Sequence, residues 1–426
     1  MMLSNLSVPL VGMVDTAVMG HLDHAYYIGA VAIGSLIFSF VYWGLGFLRM
    51  STTGLAAQAL GANQQHEATA VLSRGILIAL VLAAALLLLQ PLIAGLAFSL
   101  LDASAEVETH ARHYFDIRIC SAPATLVTYV VIGWFLAQKN ARVPLLITLV
   151  VNSINILLDI ILVVGLGMTI AGVAWASVVA DYSGLAVGIY ITLAMLRRQQ
   201  YRIDWIHIIQ RTALAKWFSV NHTIFIRTLC LIFTFAFFTA QSAEFGDVIL
   251  AANAILLNFQ TLMAYLLDAF AHAAEALVGH DIGARDESAL RHTVSGVITW
   301  SGIFAVLFSL LYGLAGTLII AALSDIEAVR QGAHDYLPWL IASPLISVWS
   351  FAYDGIFIGA TRTRAMRDSM IFSTFAVFLP SWYFSQAWGN HGLWLAMMLF
   401  LASRGLTLAY LWRRYRRYRT LFADPA

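Results

Sequence analysis

The sequence predicts an all-α integral membrane protein, twelve transmembrane helices arranged as two pseudo-symmetric six-helix bundles. Three observations carry that prediction. Of 426 residues, 61% are hydrophobic and only 11% are charged, whereas water-soluble domains carry about 25% charged residues. Apolar runs of the roughly 20 residues needed to cross a bilayer recur twelve times along the chain. The two halves of the chain also match each other at one constant shift of 222 residues.

The expected spans lie at approximately 2–21, 28–48, 70–98, 113–137, 143–165, 171–196, 217–240, 247–276, 292–320, 334–359, 369–387 and 391–412. Little sequence separates them, which leaves no room for a soluble domain. The first run has no basic stretch before it, carries Asp15 and leads straight into the body of the protein, so it reads as a span and not as a cleavable signal peptide. The longest polar connection is 197–216, "RRQQYRIDWIHIIQRTALAK". It divides the chain into an N-terminal lobe, 1–196, and a C-terminal lobe, 217–426, with 197–216 as a cytoplasmic linker.

Basic residues set the orientation. With a cytoplasmic N-terminus, eighteen Lys and Arg fall on the inner side, among them Arg74, Lys139, Arg142, Arg285, Arg291, Arg364 and the run "RRYRRYR", while only Arg112 and Arg330 fall outside. An even number of helices returns the C-terminus to the cytoplasm. At the 222-residue shift "QALGAN" (58–63) meets "HDIGAR" (280–285), Tyr114 meets Tyr336, Ser121 meets Ser343, Gly133 meets Gly355 and Arg142 meets Arg364. Six helices per repeat give both halves the same direction of entry. That implies a pseudo-two-fold axis along the membrane normal, a layout found among transporters.

Ionisable and amide side chains at membrane depth mark functional candidates, because each is costly there. In the span 143–165, Asn152, Asn155 and Asp159 fall on one helical stripe. Ser177 and Asp181 share a face of the next span, and Asp15 is the carboxylate of the first span able to join them. A hydrogen-bonded structural network is the competing reading of these residues. In the second half, Asn258, Thr261, Tyr265, Asp268, His272 and Glu275 form a polar seam down 247–276, and Asp354 and Arg227 add two further charges. An Arg cannot shed its charge when buried, so Arg227 is expected to pair with one of the acids.

Several classes are disfavoured. A net charge of +1 gives no overall attraction for nucleic acid. The spacing of His272, Glu275 and His280 does not set three metal ligands on one helical face, and no phosphate-cradling or nucleophile-elbow motif is present. No metal, cofactor or enzymatic activity is therefore expected. Cys120 and Cys230, both in apolar runs, read as small buried hydrophobes.

At "VPLVGMVDTAVMGHL", "RMSTTGLAAQALGAN", "NSINILLDIILVVGLGMTIAGVAWAS" and "DGIFIGATRTRAMRDS", the chain resembles the multidrug and toxic compound extrusion (MATE) transporters, with the nearest likeness to their bacterial DinF-like branch. The resemblance covers essentially the whole chain. It implies two six-helix lobes and export of organic, often cationic or amphipathic compounds driven by inward H+ or Na+. It also implies that Asp15 is the coupling carboxylate, set among polar residues of the fifth and sixth helices, with Asn155 and Asp159 as the amide–carboxylate pair and Ser177 where relatives often have Thr; helical spacing adds Asn152 and Asp181 to that group. In the NorM-like branch a glutamate and an aspartate of the C-lobe bind Na+. Asp354 matches that aspartate, while Arg227 stands in the region of the glutamate, which favours H+ as the coupling ion. Tyr265, Asp268, His272, Glu275, Asp354 and Arg227 are then expected at a substrate cavity or second ion site. Family members have a longer segment before the helix-1 aspartate than the fourteen residues preceding Asp15 here. The expected partners are small organic substrates and the lipid bilayer, for a monomer in a bacterial inner membrane. The alternatives are a Na+-coupled antiporter, a flippase for lipid-linked or oligosaccharide cargo, and a non-transporting scaffold.

Overall fold

The computed structural model describes residues 26–100, 104–198, 208–417 and 422, and every regular element among them is helical. The expected span 2–21, with Asp15, lies outside the described residues. In chain order the helices are α1 (Tyr26–Gly44), α2 (Phe47–Gly61), α3 (Gln65–Leu88), α4 (Gln90–Leu100), α5 (Ala105–Arg118), α6 (Ala122–Ala137), α7 (Arg142–Asp159), α8 (Thr169–Arg198), α9 (Arg211–Glu244), α10 (Asp247–Gly283), α11 (Glu287–Leu323), α12 (Glu327–Gly359), α13 (Thr363–Ile371), α14 (Leu379–Ser385) and α15 (Asn390–Arg417). Among the described residues ten stretches are long and apolar enough to cross a membrane: α1 with α2, α3, α5 with α6, α7 with the turn that follows it, α8, α9, α10, α11, α12 and α15.

The helices outrun the apolar segments that announce them. The span expected at 247–276 becomes the 37-residue α10, and α9 starts at Arg211, inside the stretch read as linker. Nothing in hydropathy ends a helix at the membrane surface; caps and turns do. The span expected at 369–387 is helical but broken: α13 passes into a π-helical stretch, Phe372–Phe378, before α14. Pro380 sits in the first turn of α14, where its missing N–H cannot close an α-helical bond to the preceding turn.

The outer faces are those of a protein in lipid. Leu88, Leu314 and Phe384 are 81%, 85% and 82% exposed, which in water would be a large apolar liability. Cys230 is buried as expected, but Cys120 is exposed, because its face of the helix points away from the bundle.

The chain forms two compact units, one of Met1–Ala56 with Gln64–Ala215 and the other of Ala57–Asn63 with Lys216–Ala426. The short segment 57–63 therefore packs with the second unit although it belongs to the first half of the sequence. Its attachment is specific: Gln58 Nε2 donates to the Gly359 carbonyl at 2.9 Å and to Thr361 Oγ1 at 3.1 Å.

Backbone geometry repeats with the sequence. Among the described residues four that are not glycine have positive φ: Asn63 and Arg285 at 59° and 55°, Lys139 and Thr361 at 58° and 52°. Each pair is separated by 222 residues. All four follow a helix end, and after Lys139, Arg285 and Thr361 the next amide donates to the carbonyl five residues back, at 3.0 Å in each case. That left-handed residue is the usual way to satisfy the last carbonyls of a helix. Packing repeats as well. A Cβ on Gly133 would meet the Arg49 carbonyl, and one on Gly355 would meet that of Ala271, again 222 residues on.

Candidate functional site

In the first unit the polar stripe of α7 meets α8. Three glycines of α8 permit the approach: a Cβ on Gly184 would press on Val151, one on Gly188 on Ile147, and one on Gly172 on Val163. Small residues spaced this way let helices in lipid pack backbone to backbone. The close seam brings Asn155 Nδ2 to Ser177 Oγ at 3.2 Å. Asn155 is 2% exposed and Asp159 0%, so amide and carboxyl are sealed inside the unit. Asn155 Oδ1 accepts no hydrogen bond among the described residues. Asp159 is the last α-helical residue of α7, and a π-helical stretch, Ile160–Gly165, begins directly after it. Such widened turns recur at functional sites because they re-aim side chains. Asn152, one turn before Asn155, is half-buried.

Asp181 shares the Ser177 face of α8 but has a different partner. It accepts from Arg118 Nη1 at 2.7 Å and from Thr125 Oγ1 at 3.1 Å. Arg118 also bonds Ser121, which shares a hydrogen bond with the Tyr42 hydroxyl at 3.1 Å, and its guanidinium lies over the rings of Phe38 and Tyr42. The polar residues of α7 and α8 thus fall into two groups, Asn155–Ser177 and Arg118–Asp181. Arg118 escaped the sequence reading, although its charge inside the apolar run 113–137 was the signal. Removing one member of this pair strands the other, so Arg118→Gln and Asp181→Asn should each lower the unfolding temperature while the double variant recovers part of the loss. Thermal denaturation of the three solubilised proteins checks this.

The second unit holds a more charged cluster. Gly355 and Gly359 of α12 allow its backbone to lie against α10, with the Gly359 position 2.7 Å in Cβ terms from the Glu275 carbonyl. This seats Asp354 beside the polar seam. Its Oδ2 accepts from Arg227 Nη2 of α9 and, at 2.8 Å, from Arg404 Nη2 of α15. Arg227, Asp354 and Arg404 are all buried, and Arg227 Nε has no acceptor among the described residues. One carboxylate thus answers two guanidiniums, which between them leave a charge of +1. Arg227 finds its acid, as its chemistry requires, and a second arginine, Arg404, shares it. Asp268 lies near enough for its charge to act on Arg404.

Exposure falls steadily along the α10 seam. Asn258 and Thr261 are exposed, Tyr265, Asp268 and His272 half-buried, and Glu275 1% exposed. The opposite face of α10 is polar too, and sequence reasoning passed it over. Gln260 Oε1 accepts from Ser343 at 2.5 Å, and Asn253 exchanges hydrogen bonds with Asn390 and accepts from Trp394. These bonds join α10 to α12 and α15 and are fully satisfied, as buried structural polar groups must be. Among the described residues no three His, Cys, Asp or Glu side chains gather as metal ligands.

The family model described as MatE matches residues 1–161 and then residues 223–383, two copies whose starts and ends are each 222 residues apart. The chain belongs to the MATE family. As a MATE transporter it is a multi-pass membrane protein, and the doubled match agrees with the repeated turns and glycine contacts. It is 42% identical to DNA damage-inducible protein F of Escherichia coli over 426 aligned residues, covering 99% of this chain and 92% of that protein. A probable multidrug resistance protein NorM of Halalkalibacterium halodurans is 24% identical, with 95% and 90% covered. Among solved structures, a mutant of the Vibrio cholerae MATE transporter VcmN has a TM-score of 0.86 at 19% identity, covering 99% of this chain and 96% of that one. This likeness is one of fold.

Proposed function

We propose that this MATE transporter exports organic, often cationic or amphipathic compounds against an inward flow of H+, as a monomer in a bacterial inner membrane with both termini cytoplasmic. The choice of H+ over Na+ rests on Asp354. With Arg227 and Arg404 both bound to it, a Na+ approaching that carboxylate meets two positive groups and one negative. A unit charge 4 Å away opposes it by about 4 kcal/mol at an effective dielectric of 20. Asn155 and Ser177 hold each other at 3.2 Å, with no arginine bonded to either among the described residues.

Proton coupling then runs through Asp15, Asp159, Asn155 and Ser177, with Asn152 and Asp181 flanking them. The open Asn155 Oδ1 supports this reading, since a protonated carboxyl needs an acceptor for its O–H and a carboxylate does not. Deprotonated, the group favours a cationic guest; protonated from outside, it loses that charge and the guest with it. Each proton moving inward gains about 2.3 kcal/mol per 100 mV of membrane potential. Tyr265, Asp268, His272 and Glu275 line the path of the substrate in the second unit.

Everted vesicles in Na+-free buffer test the proposal. A cationic dye should discharge the proton gradient with wild-type protein, and the discharge should be abolished in Asp15→Asn and at least tenfold slower in Asp159→Asn, about 1.4 kcal/mol. Persistence in both variants would move coupling to the acids of α10, and transport only on addition of Na+ would change the coupling ion. A second reading draws on the excess of Arg227 and Arg404 over Asp354: a flippase for anionic, lipid-linked cargo. Movement of an anionic amphiphile, with the cationic dye ignored, would select it.

A further inference from the structure

At the arginine-rich end of α15 the second unit has a cleft of about 320 Å³, lined by Arg285, Glu287, Leu290, Arg291, Val294, Trp412, Arg416 and Phe422. Its lining is of two kinds. Leu290, Val294, Trp412 and Phe422 make an apolar wall, and Arg285, Arg291 and Arg416 carry three positive charges against the one of Glu287. Arg291 is paired with Glu287 at 2.5 Å. Arg285 and Arg416 are exposed, and neither makes an ion pair or side-chain hydrogen bond among the described residues. Arg285 is also the left-handed residue that ends α10, so its direction is fixed by the turn and not by a long flexible loop.

The wall contains a second pointer to a ligand. Trp412 is 3% exposed, braced edge-on by Phe357 with ring centres 5.7 Å apart, and its indole Nε1 has no acceptor among the described residues. A buried N–H without a partner is rare and calls for an acceptor. Trp412 lies five residues from the end of the last membrane-spanning helix, α15, at the level where indoles collect in membrane proteins.

We propose that this cleft binds the phosphodiester headgroup of an anionic phospholipid, phosphatidylglycerol in its simplest form. Arg285 and Arg416 hold the phosphate, the indole N–H of Trp412 supplies a donor, and the first methylenes of the acyl chains lie on Leu290, Val294 and Phe422. Free phosphate shares the charge but has no use for the apolar wall, which is why the lipid is the occupant. Basic juxtamembrane residues gain about 1 kcal/mol each from anionic lipid, a factor of about five in affinity. The function of the site is independent of what the transporter exports.

Tryptophan quenching by brominated lipids tests it on the full-length protein in mixed vesicles. Brominated phosphatidylglycerol should quench more than brominated phosphatidylcholine at equal mole fraction. The excess should vanish in Trp412→Phe, and in Arg285→Gln/Arg416→Gln the apparent affinity for phosphatidylglycerol should fall about 25-fold, the product of two fivefold losses. Both arginines are exposed and make no ion pair among the described residues, so these variants should retain the wild-type thermal stability, which is measured alongside. Equal quenching by the two lipids, or an excess unchanged in the arginine variant, would overturn the proposal. So would full displacement of the quenching lipid by inorganic phosphate, which would mark a site for the free anion.

Discussion

Asp354→Asn should destabilise the solubilised transporter by about 3–5 kcal/mol, the cost of stranding buried charge, and by clearly more than Arg404→Met. The asymmetry follows from the count. Asp354 answers both Arg227 and Arg404, so removing it leaves two buried guanidiniums without the carboxylate they share. Removing Arg404 leaves one acid and one base, a neutral pair, and a methionine fills the space against Phe400, whose ring now lies 5.5 Å from the guanidinium. An arginine carries its charge at any accessible pH, so neither group escapes by losing a proton. Thermal unfolding of the two variants decides it. Equal losses, or a larger loss for Arg404→Met, would mean that Asp354 is not the group on which the cluster depends.

Gly61→Ala and Gly283→Ala should each be strongly destabilising and should abolish transport. The two segments lie against each other reciprocally: a Cβ on Gly61 would fall well inside contact with the His280 carbonyl, and one on Gly283 would do the same to the Gln58 carbonyl. Residues 58 and 280 are themselves 222 apart, so one contact is the repeat of the other. Both obstacles are backbone, which cannot swing aside like a side-chain tip. Overpacking of this kind costs about 1–3 kcal/mol or more. Gly95→Ala and Gly296→Ala are the controls, for nothing lies within 4 Å of either added carbon. If all four variants unfold and transport alike, the close approach is not what these glycines serve.

Much of this architecture was legible in the sequence because lipid imposes a simple rule. Every backbone polar group in the bilayer must be satisfied within its own helix, so apolar runs of the right length become helices. The 222-residue shift was equally legible, and it reappears in features no hydropathy trace contains, the left-handed turns at Asn63 and Arg285 and at Lys139 and Thr361. What stayed hidden depends on partners. Asp181 shares a face with Ser177, but spacing reports a face and not what stands opposite, and Arg118 stands opposite. The pairing of Arg404 was hidden for the same reason, since it stands fifty residues from Asp354 yet is bonded to it. The break at 372–378 leaves apolar content unchanged, so only Pro380 hinted at it. Residues 57–63 pack with the second unit, which chain order alone does not report.

The central claim is that a carboxyl group of the first unit exchanges a proton for the exported cation. The most direct measurement is proton release on adding a cationic substrate to the purified protein in weakly buffered, Na+-free detergent solution, wild type beside Asp159→Asn. Release by the wild type and its loss in the variant, with folding intact in both, is the predicted result. Substrate binding without proton release in the wild type, or release undiminished in both Asp159→Asn and Asp15→Asn, would contradict it.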